Sequence, residues 1–274
     1  MTAVFRVNTL VIPSQVTPIP KCPRAIFGFR SLLPDSTIVN FSGSGVDEDL
    51  SYPFSNCLDY RDNTKYSPTS ELTVEIEFRQ SSATAIDYFG IAVHNGSDVG
   101  FTGKFEVQVL GSWVKVADIA TPTNNGTVMG YFDEKNSSRQ RLTLNYTGKL
   151  YIGTIYVGKS WEMKSTPDKG FIPGRSNSID EVQGFNTKSE QFVIGRKMEK
   201  GNETKGSFSN VDFSIINSEY LDFMNHVQSP KPMFFKWNSD IEDNFFGMQK
   251  GKLTPPSYSN SNRGTISFNL IGRA

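Results

Sequence analysis

Two histidines, His94 and His226, and two cysteines, Cys22 and Cys57, are the whole stock of those residue types in the chain. They bound its chemistry. A nucleophilic triad needs one of the histidines beside a Ser or Cys and a carboxylate. His94 falls where a strand meets a turn, His226 near the exposed end of a predicted helix, and neither sits in a hydrolase motif. Both read as structural or surface residues. With no metal-ligand spacing among the four, a structural zinc cluster is excluded, and the cysteines form either one disulfide or two thiols. The run Val46-Asp-Glu-Asp-Leu50 clusters the carboxylates of Asp47, Glu48 and Asp49. These are the calcium candidates, but the spaced oxygen ligands of an EF-hand loop are missing, and a solvated turn explains them equally. Ser42-Gly-Ser-Gly-Val46 is glycine-rich yet precedes neither a Lys nor a helix, so it is no phosphate loop. No carboxylate pair is marked out for glycoside hydrolysis, whose geometry is three-dimensional. The expectation is a protein that is not an enzyme and carries no cofactor. One binding chemistry stays open: an indole face stacks on the apolar face of a pyranose. Trp113, Trp161 and Trp237 could each do so, against the ordinary fate of core packing. Trp113, just past Gly111-Ser112, is the best placed.

Positioning such residues falls to a series of short strands between Glu71 and Met163. Leu72-Thr-Val-Glu-Ile-Glu-Phe78 alternates apolar and polar residues with period two, the signature of a half-buried strand. Tyr88–His94 is more continuously apolar and closes at the turn-forming pair Asn95-Gly96. Lys104–Leu110 and Trp113–Ile119 make a hairpin, and Val128–Phe132, Gln140–Asn145 and Leu150–Val157 follow. Seven strands at this density predict a sandwich or jelly roll. Residues 1–46 read as an N-terminal arm or added edge strand, because Pro13, Pro18, Pro20 and Pro23 forbid a helix; its basic residues would dock on an acidic neighbour or wrap its own domain. Residues 47–164 hold the jelly roll. The polar segment Lys164–Gly170 marks a boundary, and 165–274 reads as a β-rich assembly domain. There, Ser189–Gly195 and Ser207–Ile215 predict a long hairpin with Arg196–Lys205 as its charged connector. A helix is expected over 218–228, capped by Asn217 or Ser218, with Tyr220, Phe223, Met224 and Val227 on one face and Pro230 and Pro232 ending it. Thr265–Leu270 alternates cleanly as a last strand.

Composition agrees with a mainly β fold. Of the 274 residues, 21 are Phe and 10 are Tyr, types that favour pleated surfaces. Lys+Arg and Asp+Glu balance at 28 each, so no bulk attraction to nucleic acid or anionic lipid is expected. The apolar run Leu10-Val-Ile12 stops at Pro13, too short for a secretory segment, and no run approaches the roughly 18–20 residues that insert in a membrane. Synthesis in the cytoplasm is the expectation. Six Asn-x-Ser/Thr triplets, at Asn40, Asn95, Asn125, Asn136, Asn145 and Asn202, then reflect an Asn- and Ser-rich surface.

The series Ala85-Ile-Asp-Tyr-Phe-Gly-Ile-Ala-Val-His-Asn95, Phe105-Glu-Val-Gln-Val109 and Trp113-Val-Lys-Val116 resembles the discoidin or galactose-binding-like jelly roll. The succession Ile152–Lys159, Gly170-Phe-Ile-Pro-Gly174, Ile194-Gly-Arg196, the helix, Pro232-Met-Phe-Phe-Lys-Trp237 and Ile266–Leu270 resembles minor or distal tail structural proteins of tailed bacteriophages. The resemblance covers roughly residues 70–274, and its motifs are strands punctuated by Gly and Pro. Where such proteins carry a glycine-rich connector after the jelly roll, this chain has charged Lys164–Lys169. The resemblance implies a virion component at the tail tip, baseplate or tail surface, a homo-oligomer whose partners are other tail proteins. The alternative is a carbohydrate-binding module that attaches to a host-surface glycan, with Trp113 as its stacking residue.

Overall fold

The computed structural model describes residues 23–42, 49–58, 64–69, 72–174, 178–186, 192–229, 231–260 and 262–273. The protein is mainly β, the described residues forming two antiparallel sheets, one helix and two short 3-10 turns, the architecture class its alternation predicts. One sheet orders β2 (Thr37–Ser42), β3 (Thr73–His94), β6 (Val128–Asn145), β4 (Thr102–Val109) and β5 (Ser112–Ile119), with β7 (Ile152–Gly158) added on β3. The other orders β8 (Trp161–Glu162), β1 (Ile26–Gly28), β11 (Met233–Lys236), β12 (Asn244–Gln249), β14 (Arg263–Arg273), β10 (Phe192–Asp212) and β9 (Ser178–Asn186), with β13 (Ser257–Asn260) also on β14.

Two of the expected strand pairs are single long strands. β3 runs for 22 residues and β6 for 18, and both bend where their register shifts, between Arg79 and Thr84 and again between Ile86 and Tyr88. Ser81, Ser82 and Ala83 are exposed at that bend, which is why the stretch reads as a connector in the sequence. Bulges of this kind re-aim a strand without breaking it. The first half of β3 lies with β2, β6, β4 and β5; its second half lies between β6 and β7. One sheet thus folds over itself into two layers. Val74, Ile76 and Phe78 of the first layer close on Phe89, Ile91, Ile155 and Val157 of the second. Phe89 stacks on Phe105 across the gap, ring centroids 5.0 Å apart.

The second layer turns its other face to the second sheet. Tyr88, Ala92, Met129 and Tyr156 meet Ile26, Phe234 and Phe246 in a shared core. Two glycines permit the approach. A Cβ on Gly90 would stand 2.6 Å from the Phe234 ring, and one on Gly28 would stand 2.4 Å from Tyr88. Strands β1, β11 and β12 therefore bury both faces: Phe27, Phe235 and Phe245 point the other way, into a core with Trp161, Phe208, Phe268, Tyr220 and Phe223 under the helix. Phe27 and Phe235 lie 4.7 Å apart in it. β1 sits between β8 and β11, pairing Ile26 with Lys236 and Glu162, while β2 takes an end of the other sheet; residues 1–22 of the expected arm lie outside the described residues.

The helix begins earlier than expected. α1 spans 213–228, α-helical at Phe213–Ile215 and Leu221–Gln228 and π-helical at Ile216–Tyr220. Asp212, not Asn217 or Ser218, caps it: its carboxylate accepts from the Ser214 amide at 3.0 Å. The expected hairpin connector Arg196–Lys205 is itself strand, pairing with β9 and then with β14.

Candidate functional site

The free face of the first layer is built by alternation. Once Val74, Ile76 and Phe78 point into the core, Glu75 and Glu77 must point out. Register then sets what stands beside them. Arg141 of β6 pairs opposite Glu77 of β3 and Glu106 of β4, and Glu106 pairs opposite Lys115 of β5. Residues directly opposite share a face, so the row across four strands is Glu77, Arg141, Glu106, Lys115. Below it run Glu75, Thr143, Lys104 and Asp118; the bulge at Val116, between the Phe105–Ala117 and Glu106–Lys115 pairs, brings Asp118 to the same side as Lys115, and the two form an ion pair at 2.9 Å.

Trp113 lies on this face, two residues before Lys115, opposite Gln108. It is half-buried and outside all the apolar cores. The guanidinium of Arg141 stands over its ring at 4.4 Å and that of Arg139 at 5.8 Å. Both are held by carboxylates. Arg141 donates to Glu106 from Nε at 2.9 Å and from Nη2 at 2.8 Å, and reaches Glu75 at 3.4 Å; Arg139 donates to Glu77 from Nε at 2.6 Å. Lys104 adds a second cation to Glu106 at 3.0 Å. The side chains of Glu106 and Glu77 are only 8% and 9% exposed, so these planar groups are fixed rather than waving in solvent. An indole held against fixed guanidinium groups, themselves paired with carboxylates, sets an apolar ring beside hydrogen-bonding partners of both kinds.

The other tryptophans are placed differently. Trp161 is buried against Phe27 and Phe223, and Trp237 packs on Phe171 at 5.3 Å while its Nε1 donates to Asp243 at 2.8 Å. His94 is buried; its Nδ1 accepts the Gly96 amide at 3.0 Å and its ring lies 5.1 Å from Phe101. Burial pushes its pKa down to about 4, so the ring is neutral at pH 7. His226 is not at an exposed end. It packs on Phe29 at 5.3 Å, bonds the Pro232 carbonyl at 3.0 Å, and burial lowers its pKa. Cys57 is buried with its Sγ donating to the Ile152 carbonyl at 3.4 Å, and Cys22 lies outside the described residues. Of the calcium candidates, Asp47 and Glu48 also lie outside them, while Asp49 accepts the Ser51 amide at 2.9 Å. Among the described residues no three His, Cys, Asp or Glu side chains converge into a metal site.

A cleft of about 300 Å³ opens between β8 and the helix, lined by Lys159, Ser160, Glu162, Ser218 and Glu219 among others. Its charges are already matched within the chain. Lys159 holds Asp87 at 2.5 Å and Glu134 at 2.8 Å, Glu162 holds Arg24 and Tyr131, and Arg30 holds Glu219 at 2.9 Å. The partners of Trp113, namely Arg139, Arg141, Glu75, Glu77 and Glu106, went unmarked in the sequence. Their one local signal is the polar half of the alternation in β3, β4 and β6.

No family model matches the chain, and no curated protein does. Among solved structures, the family 32 carbohydrate-binding module of Clostridium perfringens NanJ, in complex with galactose, is similar at TM-score 0.40 and 16% identity, over 48% of this chain and 98% of that one. A second Clostridium perfringens module, CpGH89CBM32-5, in complex with GalNAc-β-1,3-galactose, is similar at TM-score 0.39 and 13% identity, over 47% of this chain and 99% of that one. SpGH29 is similar at TM-score 0.39 and 10% identity, and the match spans only 28% of its length. Likeness of this degree covers under half of the present chain and identifies neither a family nor a ligand for it.

Proposed function

We propose that this is a non-catalytic binding protein whose charged outer face receives a glycan at Trp113. The observation that carries the reading is the position of that indole: on the solvent face of an edge strand, apart from the apolar cores, against Arg139 and Arg141, which are held by Glu77 and Glu106. A pyranose presents an apolar C–H face and a rim of hydroxyls, which are donors and acceptors at once; the indole meets the first, and the fixed guanidinium and carboxylate groups meet the second. Screening the protein and Trp113→Ala on a glycan array tests it, with circular dichroism confirming that the variant is folded. Binding by the parent and loss in the variant is the expected result. An empty array, or binding indifferent to the substitution, overturns the proposal.

A second reading, structural component of a bacteriophage tail, is supported by the resemblance of residues 70–274 and favoured by one feature of the fold. Among the described residues, strands β9 and β10 pair as an antiparallel ribbon along Phe192–Glu199, a form suited to contact with other proteins. Antibody labelling of virions under the electron microscope tests it: decoration of the tail is expected, and unlabelled particles refute it.

A further inference from the structure

Strands β11 and β12 are joined by residues 237–243, and their register sets Lys236 directly opposite Asn244 at the base of that loop. Residues opposite one another in antiparallel strands share a face, with Cβ atoms about 4.5–5.5 Å apart. Here it is the face that carries Phe234 and Phe246 into the core shared with the sandwich layer, and the polar pair goes in with it: Lys236 is 3% exposed and Asn244 2%. Lysine is seldom buried so deeply. Its ammonium meets Glu242 of the loop at 3.3 Å, and the other oxygen of the same carboxylate accepts from Asn244 Nδ2 at 3.4 Å. The Thr127 carbonyl takes a second bond from Nδ2, at 3.3 Å, while Asn244 Oδ1 is buried with no partner among the described residues. Two acceptors around Nδ2 fix which end of the carboxamide is nitrogen. The orphaned oxygen calls for a reason beyond packing.

An amine, a carboxamide and one carboxylate touching the nitrogen of each are the parts of an acyl transfer within the chain. We infer that Lys236 and Asn244 join through an isopeptide bond, with Glu242 carrying the protons between them. The Lys236 ammonium gives one proton to the Glu242 carboxylate, and the free amine attacks Asn244 Cγ. The Nζ–Cγ bond forms and the Cγ–Nδ2 bond breaks. The leaving nitrogen takes the proton held by Glu242 and then, by the same route, the second proton that Nζ sheds. It departs as ammonium; Nζ keeps one hydrogen as an amide, and Glu242 returns to its carboxylate. No oxidant and no further reactant enters. Register holds the two groups together, and burial keeps away water, the competing nucleophile. The link closes the 237–243 loop at its base and ties two central strands of the second sheet. The inference stands apart from the glycan and tail readings.

Intact mass spectrometry of the full chain is the first measurement: the parent is expected to be lighter than its sequence by one molecule of ammonia. A succinimide at Asn95-Gly96 would lose the same mass, so the location decides. Protease cleavage within 237–243 followed by denaturing electrophoresis reads it, because Cys22 and Cys57 both precede the cut and no disulfide can hold the halves together. The parent's halves are expected to stay joined. Glu242→Gln keeps the size of a side chain that is 85% exposed, so the fold should persist, with circular dichroism as the check. It cannot carry the proton, and this variant is expected to show its full sequence mass and to separate into two chains. Lys236→Arg should separate as well, since a guanidinium keeps its proton. A parent at full mass after prolonged incubation at neutral pH, parent halves that separate, or a Glu242→Gln or Lys236→Arg variant that stays joined overturns the inference.

Discussion

His94 makes the stability of this protein fall with acid by an amount that can be worked out. The imidazole is 6% exposed, its Nδ1 accepts the Gly96 amide at 3.0 Å, and its Nε2 has no protein partner among the described residues. A proton on Nδ1 would set a donor against a donor and leave a charge in an apolar site beside Phe101. Burial thus lowers the folded-state pKa from 6.5 to about 4. Between those values the unfolded chain holds the extra proton and the folded chain does not, so stability is intact above about pH 6.5 and declines as pH falls toward 4. A difference of about 2.5 units corresponds to roughly 3 kcal/mol, with a steepest slope of about 1.4 kcal/mol per pH unit. His94→Asn supplies the control, because its carboxamide oxygen takes the place of Nδ1 as acceptor for Gly96 and does not titrate. Urea unfolding of both proteins at several pH values from 4 to 7.5 measures the effect. His226 and the carboxylates titrate in both proteins and cancel. The parent is expected to lose roughly 3 kcal/mol relative to the variant across that range. Curves that run parallel would refute the assignment of this stability to a buried neutral His94.

Arg141→Ala should destabilise the protein by about 2–4 kcal/mol in chemical denaturation, since it strips Glu106, 8% exposed, of its two-pronged partner. Adding Glu106→Gln should recover part of the loss, and a double-mutant cycle with no coupling would contradict the geometry. Leu110 forms the β4–β5 turn with Gly111, both at positive φ, and its side chain is fully exposed. Leu110→Asn relieves a left-handed conformation costly to leucine and should raise stability by about 1 kcal/mol, a melting-point gain of about 2 °C. An unchanged or lower melting point would show that the turn costs leucine nothing.

The parts of this fold that sequence discloses are those decided within a few residues. Leu72, Val74, Ile76 and Phe78 announce a strand because its two faces meet different media, and Gly111 announces a turn because few residues accept its φ of +84°, while Gly96 opens a turn where a Cβ would stand 2.1 Å from the Phe101 ring. Where a strand passes outside the layers, that contrast vanishes: Ser81–Ala83 are exposed at the bend of β3 and read as loop, though the chain continues as strand on both sides. β1 fails to show for the opposite reason. Ile26 and Phe27 are both buried, on opposite faces, because two cores close on the strand, and no alternation survives. The helix start was displaced because a cap is read from any Ser, Asn or Asp, and only the backbone turn at Asp212 decides among them.

The site around Trp113 was hidden by distance along the chain. Its indole was visible as a residue type, but Arg139 reaches Glu77 across 62 positions and Arg141 reaches Glu106 across 35. Alternation says that Glu75 and Glu77 face outward; it carries no information on which charges register beside them, because register is set by bulges and by the packing of Phe89 on Phe105 elsewhere in the sandwich. The two-residue turn at Leu110-Gly111 fixes where Trp113 stands against Gln108, and the bulge at Val116 turns Asp118 toward Lys115. The charged face is therefore a product of register, and a one-residue slip of β5 would carry Trp113 and Lys115 from this face to the apolar one. Its chemistry is as rigid as the strand pairing beneath it, and a glycan bound there would be read by strands rather than by loops.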